Sequence, residues 1–368
     1  MARLSVVILN WNGRRHLERY LPSVVAHTEG DAEVVVADNG STDDSLQWLR
    51  LNYPDVRVIR LDRNYGFAGG YNRALREVAS EYVLLLNSDV EVTAGWWQPL
   101  VEVLDTESDV AAVAPKLLAD MERTKFEYAG AAGGFIDYLG YPFCRGRILS
   151  NVEEDRGQYD SRRDIFWASG AAMCCRRELF ESLGGFDEDF FAHMEEIDLC
   201  WRMQLEGYKI TVVPESVVYH VGGGTLPATS PFKLFLNYRN NLLMLENNLA
   251  KTFALKNLKS GKPAGKAAAR GLAQARWRIF QRKCLDWLSA GVYLATLKTG
   301  CFKAVWKAYK EYGKLRQAPD INDIKAYLSL HGQDAGVSGI YGKWIILTSM
   351  LKGKDVFRSI KEKDFYNI

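Results

Sequence analysis

The run Tyr82 to Asp89, Y-V-L-L-L-N-S-D, delivers an amide, a hydroxyl and a carboxylate directly after an apolar stretch. Oxygen ligands of this kind suit a hard divalent cation held beside a phosphate. The apolar part is too short for a lone helix and reads as a strand buried on both faces, and ligands of open α/β sheets gather at the carboxyl ends of such strands. The same three polar residues also favour turns, so by themselves they fit a strand that simply turns. Other apolar runs end the same way: Leu9 precedes Asn10-Trp11-Asn12, Ala37 precedes Asp38-Asn39-Gly40, and Leu61 precedes Asp62 to Asn72. A polar strand end repeated in succession points to a nucleotide pocket.

The elements that must position these residues follow from periodicity. Up to about residue 115, strands are expected at Leu4 to Leu9, Glu33 to Ala37, Val56 to Leu61, Tyr82 to Leu86 and Val110 to Ala114. Helical patterns over His16 to Ala26, Asp44 to Leu51, Tyr71 to Val78 and Gly95 to Leu104 separate them. Such alternation implies an α/β fold with a mainly parallel sheet flanked by helices. Residues 119–163 lack a clear period and read as a long functional loop. A strand over Phe166 to Cys175, a helix near Arg177 to Leu183, another from Glu195 to Glu206 and a final strand pair ending at His220 complete this part.

Charge divides the chain. Residues 1–250 hold 24 Lys and Arg against 37 Asp and Glu, whereas residues 251–368 hold 23 against 8. The expected organisation is therefore an acidic domain over 1–250 and a basic amphipathic helical extension over 251–368. After a helix over 237–251, Lys256 to Lys266 reads as a basic linker. Residues 267–315 interleave Lys and Arg with Trp277, Phe280, Trp287 and Leu288, and Trp344 to Phe357 repeats this on a smaller scale. That texture suits helices lying on an anionic membrane surface, with packing back onto the domain as the alternative. No stretch reaches the ~18 apolar residues of a spanning helix, and the start of the chain lacks a cleavable-signal pattern. Six cysteines without C-x-x-C pairs or framework spacing fit reduced thiols in a cytoplasmic protein. The basic residues follow no nucleic-acid-binding module, so no nucleic-acid partner is expected.

Taken in order, these motifs resemble the inverting GT-A glycosyltransferases of family 2, in particular the rhamnosyltransferase-like branch of bacterial surface-polysaccharide enzymes. The resemblance covers residues 3 to about 245. It implies a Rossmann-like mixed sheet, a nucleotide-diphosphate sugar donor with dTDP-rhamnose favoured, a divalent metal (Mn2+ or Mg2+) and a one-step displacement that inverts the anomeric centre. A lipid-linked or glycan acceptor at the inner face of the cell membrane follows from the same likeness.

Residue by residue, the resemblance puts Asp38 against the base, where its carboxylate can accept from a pyrimidine N3–H. An Asx-turn or helix cap is the other reading of Asp38, and it suits Ser41 and Asp43 as well. Asn10 and Trp11 would line the nucleoside pocket, with Gly69 and Asn72 at its edge, and the turn Gly66 to Gly70 would bring backbone close to the nucleoside. Asp89 matches the last position of the D-x-D signature and would bind the metal, while Asn87 stands where the family has its first Asp. His220 matches a second metal ligand, and Gly222 to Thr225 would form a lid over the diphosphate. In the stretch Gly184 to Arg202, the residue matching the family's catalytic base is Glu196, with adjacent Glu195 as the alternative. Asp198 and Arg202 are spaced to pair across one helical turn, and His193 is either structural or acceptor-facing.

Two other readings stand beside the enzyme. One is a catalytically silent nucleotide-sugar-binding scaffold of the same fold. The other is a processive synthase, against which Gln274-Ala275-Arg276-Trp277 falls one residue short of Q-x-x-R-W and spanning helices are missing.

Overall fold

The computed structural model describes residues 2–222, 230–332 and 334–368. Fifteen strands are found among them: β1 (Leu4–Asn10), β2 (Ala32–Asn39), β3 (Arg57–Leu61), β4 (Tyr82–Asn87), β5 (Val90–Val92), β6 (Val110–Ala119), β7 (Gly134–Asp137), β8 (Pro142–Cys144), β9 (Arg147–Ile148), β10 (Asn151–Val152), β11 (Arg163–Ile165), β12 (Ala172–Arg176), β13 (Lys209–His220), β14 (Ile340–Tyr341) and β15 (Phe365–Tyr366). The main helices are α1 (Arg14–His27), α2 (Ser45–Asn52), α3 (Gly66–Leu75), α4 (Gln98–Thr106), α5 (Arg177–Ser182), α6 (Glu195–Leu205), α7 (Pro231–Lys259), α8 (Ala264–Ala295), α9 (Thr299–Leu315), α10 (Ile321–His331) and α11 (Ile345–Lys352).

The large sheet runs β11-β13-β6-β12-β4-β1-β2-β3, with β5 paired to β13. β1 is parallel to both β2 and β4, and β2 to β3, whereas β12 enters antiparallel between β4 and β6. Successive residues of these strands point to opposite faces. Val7, Val35, Val83 and Leu85 join one apolar cluster, and Val6, Ile8, Val36, Leu84 and Leu86 join another, so the sheet is buried on both sides. Each fully buried Val or Leu contributes about 1.5–3 kcal/mol by leaving water. The parallel register is what aligns the polar strand ends: Asn10 lies beside Asp38, Leu9 beside Asn87, and Asn39 beside Leu61.

Several expectations are corrected. The segment 119–163 is structured as β7 to β10, which form a second sheet in the order β10-β9-β8-β7-β14-β15. Of the strand expected over Phe166 to Cys175 only the last part forms, as β12; Phe166 to Ala171 lie outside the named strands, and β11 precedes them. The expected pair ending at His220 is the single strand β13, whose register shifts between Val213 and Val217 around Pro214; a proline cannot donate to the ladder, so the strand bulges there.

The C-terminal region also departs from the expected separate extension. The linker shrinks to 260–263, because α7 continues to Lys259 and α8 begins at Ala264. α8 presses against α7 through Ala268, Gly271 and Ala275; a side-chain carbon on Gly271 would meet the backbone nitrogen of Ala254 at 2.5 Å. Farther on, β14 pairs in parallel with β7 and β15 pairs with β14. Gln204 of α6 accepts from the Ser338 amide at 2.8 Å and donates to Phe166 O at 2.9 Å. The division expected at 250 therefore falls inside α7, and residues beyond it share the core of the sheet domain.

Candidate functional site

One part of the site is the β1–β2 rim. Asn10, fully buried, donates from Nδ2 to Asp38 Oδ1 and to Ser41 Oγ, both at 3.1 Å. Asp38 Oδ2 accepts from the Ser41 amide at 3.0 Å, so the Asx-turn expected as one reading is present. Asn12 accepts from the amides of Thr42 and Asp43 at 2.7 and 3.2 Å, and Asp43 accepts from the Arg14 and Ser45 amides, both at 3.1 Å. These bonds brace the two strand ends as one surface, beyond which Trp11 stands 48% exposed and free to stack on a planar ligand. Asn10 Oδ1 has no hydrogen-bond partner among the described residues.

A second part lies at the end of β4. Antiparallel pairing of β5 with β13 sets His220 opposite Val90 and brings its Nε2 to 3.2 Å from Asp89 Oδ1 and 3.4 Å from Asn87 Nδ2. The other ring nitrogen, Nδ1, faces Glu127 Oε1 at 3.3 Å. Burial alone lowers the imidazole pKa, but the Glu127 and Asp89 carboxylates outweigh it and push the value up to about 10. Placed between these two carboxylates, the His220 ring is favoured in its protonated form. Asp89 is held below the usual carboxylate range, because the His220 partner overcomes burial, which acts in the opposite direction. Gly222, at φ +69°, runs so close to Glu127 that a side-chain carbon would lie 2.5 Å from Oε1. The rest of the expected lid, Gly223 to Thr225, lies outside the described residues.

Asp89 and His220 offer an oxygen and a nitrogen ligand to a divalent ion, and Asn87 stands beside them. Among the described residues, no group of three His, Cys, Asp or Glu side chains converges as an ion cage. This donor set suits an ion whose remaining positions are taken by ligand phosphates and water, the usual habit of Mg2+ in phosphate sites.

The third part is the start of α6. Phe191, His193 and Met194 all adopt positive φ, +61°, +71° and +76°, which is rare for side chains of this size. Two anchors hold the strained turn. Asn240 Nδ2 donates to the carbonyls of Phe190, Ala192 and His193 at 2.7–2.8 Å, and Arg239 donates to those of Asp189 and Phe190. On the other side, Phe191 O accepts from the amides of Phe67 and Ala68 at 2.6 and 3.2 Å. Gly66, φ +73°, permits this approach, since a side-chain carbon there would meet Phe191 O at 2.5 Å.

The turn presents Glu195 and Glu196, and an Oε2 of each has no hydrogen-bond partner among the described residues. Burial raises both carboxyls: Glu195, also facing the charge of Glu196, lies well above the usual range, and Glu196 is pushed up to about 7. Glu196 lies over Gly170, whose neighbour Ala171 accepts from the Asn87 amide at 2.9 Å, so the helix start is seated beside the β4 end. His193 Nε2 is likewise unpartnered, and burial together with the nearby Lys233 charge pushes its pKa down to about 4.

The structure thus brings Asn10, Trp11 and Asp38 onto one surface, and Asp89, Asn87 and His220 together at the β4 end. Asn72 is placed differently: both ends of its amide are spent on the Phe186 backbone, at 2.8 and 2.9 Å, which ties α3 to the segment before α6. Gly69 lies close to Tyr65, Arg73 and Glu188, and Gly66 makes room for Phe191, so this glycine-rich turn also supports the α6 start. The expected pair Asp198–Arg202 forms at 2.8 Å, with Arg202 also capping the carbonyls of Leu183 and Gly185. Sequence reading missed Glu127, Arg239 and Asn240. The polar trio Arg239-Asn240-Asn241 inside an apolar helix was the available signal for two of them.

A sequence model of glycosyl transferase family 2 matches residues 5–184. Over 233 residues the chain is 30% identical to an N-acetylglucosaminyl-diphospho-decaprenol L-rhamnosyltransferase of Mycobacterium tuberculosis, covering 59% of this chain and 75% of that protein. A low-salt glycan biosynthesis hexosyltransferase of Haloferax volcanii is 25% identical over 256 residues, 68% of this chain and 77% of the relative. Among solved structures, GalNAc-T7 with UDP, GalNAc and Mn2+ superposes with a TM-score of 0.50 at 19% identity, over 76% of this chain and 54% of that one, a likeness of fold.

Proposed function

The chain belongs to glycosyl transferase family 2, and from this we propose that it transfers a sugar, with inversion, from a nucleoside-diphosphate donor to a hydroxyl of a lipid-linked saccharide. dTDP-rhamnose is the favoured donor, a choice supported by the rhamnosyltransferase named above. The observation that carries the reading is Glu196, a carboxyl with one oxygen unpartnered among the described residues and a raised pKa, presented by a strained turn beside the Asn87–Asp89 strand end.

Asn10, Trp11 and Asp38 hold the nucleoside, with the second lone pair of each Asp38 oxygen left for the base. The donor diphosphate lies toward Asp89, Asn87 and His220. Glu196 accepts the proton of the acceptor hydroxyl as its oxygen bonds to the anomeric carbon, and the bond from that carbon to the diphosphate oxygen breaks with its electrons going to the leaving nucleotide. A carboxylate with pKa near the working pH is suited to this step, because it is ionised yet basic. Glu195 keeps a second proton-binding site next to it. Asp89 and His220 would hold a divalent ion, Mn2+ or Mg2+, which when bound neutralises the leaving diphosphate.

The acceptor reading places the enzyme at the inner face of the cell membrane. It is supported by the exposed aromatics of α8 and α9, Trp277, Phe280, Trp287 and Trp306, set among Lys and Arg. No helix among the described residues is long and apolar enough to cross a membrane.

The test is transfer itself. dTDP-rhamnose, UDP-sugars and GDP-sugars with Mn2+ are offered together with a GlcNAc-diphospho-prenol acceptor, and products are read by mass spectrometry. A rhamnosylated, inverted product that disappears in Glu196→Gln is expected; donor binding without product from any pair would leave a silent binding protein instead.

A further inference from the structure

Beyond the Glu127 side of His220 lies a cavity of about 920 Å3. Glu127 on the cavity lining links it to the β4 end, since it faces one ring nitrogen of His220 while the other faces Asp89. The lining comes from parts of the chain far apart in sequence, with Tyr128 following β6, Arg147 on β9, Lys233 on α7, and Lys354 and Arg358 after α11.

The charges do not balance internally. Among the described residues, no ion pair engages Arg147, Lys233, Lys354 or Arg358, and residues 223–229 contain no carboxylate that could supply one. Of the carboxylates on the lining, Glu122 pairs with Lys125 and Glu127 faces His220, which leaves Glu153, bonded by the Tyr159 hydroxyl, and exposed Asp355 against these four cations. Arg147 and Lys233 both lie over the Tyr128 ring, at 3.9 and 5.4 Å from its centroid. Lys233 is only 9% exposed. Glu127 is the one carboxylate whose charge reaches both Arg147 and Lys233, and it already faces His220; burying cations is costly, so two of them on one ring sharing a single carboxylate mark a place where a further anion belongs.

The far wall adds an apolar element. Met350 and Leu351 at the end of α11 are 75% and 74% exposed, directly before the turn that carries Lys354, and Phe357 lines the cavity between Lys354 and Arg358. α11 is fastened to the second sheet by Asn151, which donates to Ser349 Oγ at 3.1 Å. Phosphate-binding cations next to exposed apolar side chains suit an amphiphile.

We propose that this cavity is the acceptor's phosphate subsite, taking the diphosphate of a sugar-diphospho-lipid against Arg147, Lys233, Lys354 and Arg358. The inference rests on the glycosyltransferase reading above and assigns the C-terminal segment a substrate-binding role. Donor and acceptor diphosphates then lie on opposite sides of His220.

Calorimetry of the full chain with inorganic pyrophosphate in EDTA tests this, using Lys354→Gln/Arg358→Gln, whose exposed side chains can change without disturbing the core. Wild type is expected to bind pyrophosphate at least about tenfold more tightly than the double variant, while stabilisation by dTDP with Mn2+ is equal in both. Equal pyrophosphate affinity in the two proteins, or complete displacement of pyrophosphate by dTDP, would overturn the proposal. Lys233→Gln, at the opposite wall, should weaken binding similarly, and no loss there counts equally against it. Absence of any nucleotide stabilisation in wild type would instead sink the donor reading and leave the pyrophosphate comparison intact.

Discussion

Glu127 Oε1 stands 3.3 Å from Nδ1 of His220, on the side of the ring opposite Asp89. A carboxylate on the far nitrogen of a ligating histidine fixes the ring's orientation and tautomer and raises its basicity. Glu127 is 2% exposed and follows β6, the strand that runs parallel to β13 up to His220, so the sheet itself delivers the pair.

Replacing Glu127 by Gln removes this charge while keeping the shape. With a nucleoside diphosphate present, Mn2+ affinity should fall by about 10–100-fold, read as free Mn2+ by electron paramagnetic resonance. Without nucleotide, wild type itself should bind Mn2+ weakly, because among the described residues the proposed ion would draw on one carboxylate, Asp89, beside His220. Tight binding to the nucleotide-free protein would contradict the two-ligand site. EDTA should abolish transfer and excess Mn2+ restore it.

The Glu195–Glu196 pair predicts a pH profile. With Glu196 pushed up to about 7 by burial, kcat/KM should fall roughly tenfold per unit below about pH 7, well above the ordinary glutamate value of 4.5. Glu196→Gln should lose several orders of magnitude in rate. An acid limb near pH 4.5, or near wild-type turnover in Glu196→Gln, would move the base elsewhere, with Glu195 the first candidate.

Stability should move oppositely. A carboxyl with a raised pKa favours the folded state only while protonated, so its contribution is complete below the ordinary value of 4.5 and is lost as pH rises through about 7. Glu196→Gln stays neutral and should be more stable than wild type at pH 8, by on the order of 1–3 kcal/mol, with the gap closing toward pH 4. Urea unfolding at both pH values measures this.

Much of the sheet domain was legible because its strands are short, apolar and ended by polar residues, and parallel register then forces Asn10, Asp38 and Asn87 to one rim. Other features depend on long-range pairing that no local period encodes. β14 and β15 join a sheet begun some two hundred residues earlier, since β14 pairs Ile340 with Ile136. The strained turn was equally hidden: Phe191, His193 and Met194 have no intrinsic preference for positive φ, and only Asn240, Arg239 and Gly66 make that backbone affordable. The pairing of the Asn72 amide with the Phe186 backbone is another long-range contact that no local pattern encodes. The basic tail was misread in part because α8 carries two apolar faces, one of them spent on α7.

Asn240 supplies donors to the three carbonyls that the turn before Glu195 exposes. Asn240→Ala should cost about 1–3 kcal/mol of stability, because the part-buried carbonyls of Ala192 and His193 lose this donor while Phe190 O keeps Arg239. Turnover should fall while affinity for dTDP, which the proposed function assigns to the β1–β2 rim, is retained. A variant with normal kcat would show that the turn holds its geometry without this anchor.

The second apolar face of α8 is open to solvent. Trp277, Phe280 and Leu288 are 59%, 54% and 65% exposed, and Val292 continues the stripe at helical spacing, opposite buried Ala275, Ile279 and Ala290. Trp306 of α9 reaches it by an edge-on contact with Trp287 at 5.8 Å. Aromatic side chains set among lysines and arginines favour the interface of an anionic bilayer, where rings bury in the headgroup region and charges meet phosphate. Full-length protein should therefore sediment with phosphatidylglycerol vesicles at low salt, less so at high salt, and weakly with neutral vesicles. Trp277→Gln/Phe280→Gln/Leu288→Gln should lose most of this binding with unchanged circular dichroism, since none of the three side chains supports the core. Transfer to a short-chain, water-soluble acceptor should survive in that variant while transfer to a long-chain lipid in vesicles falls. Unaltered vesicle binding in the triple variant would mean that the tail's exposed aromatics face something other than lipid.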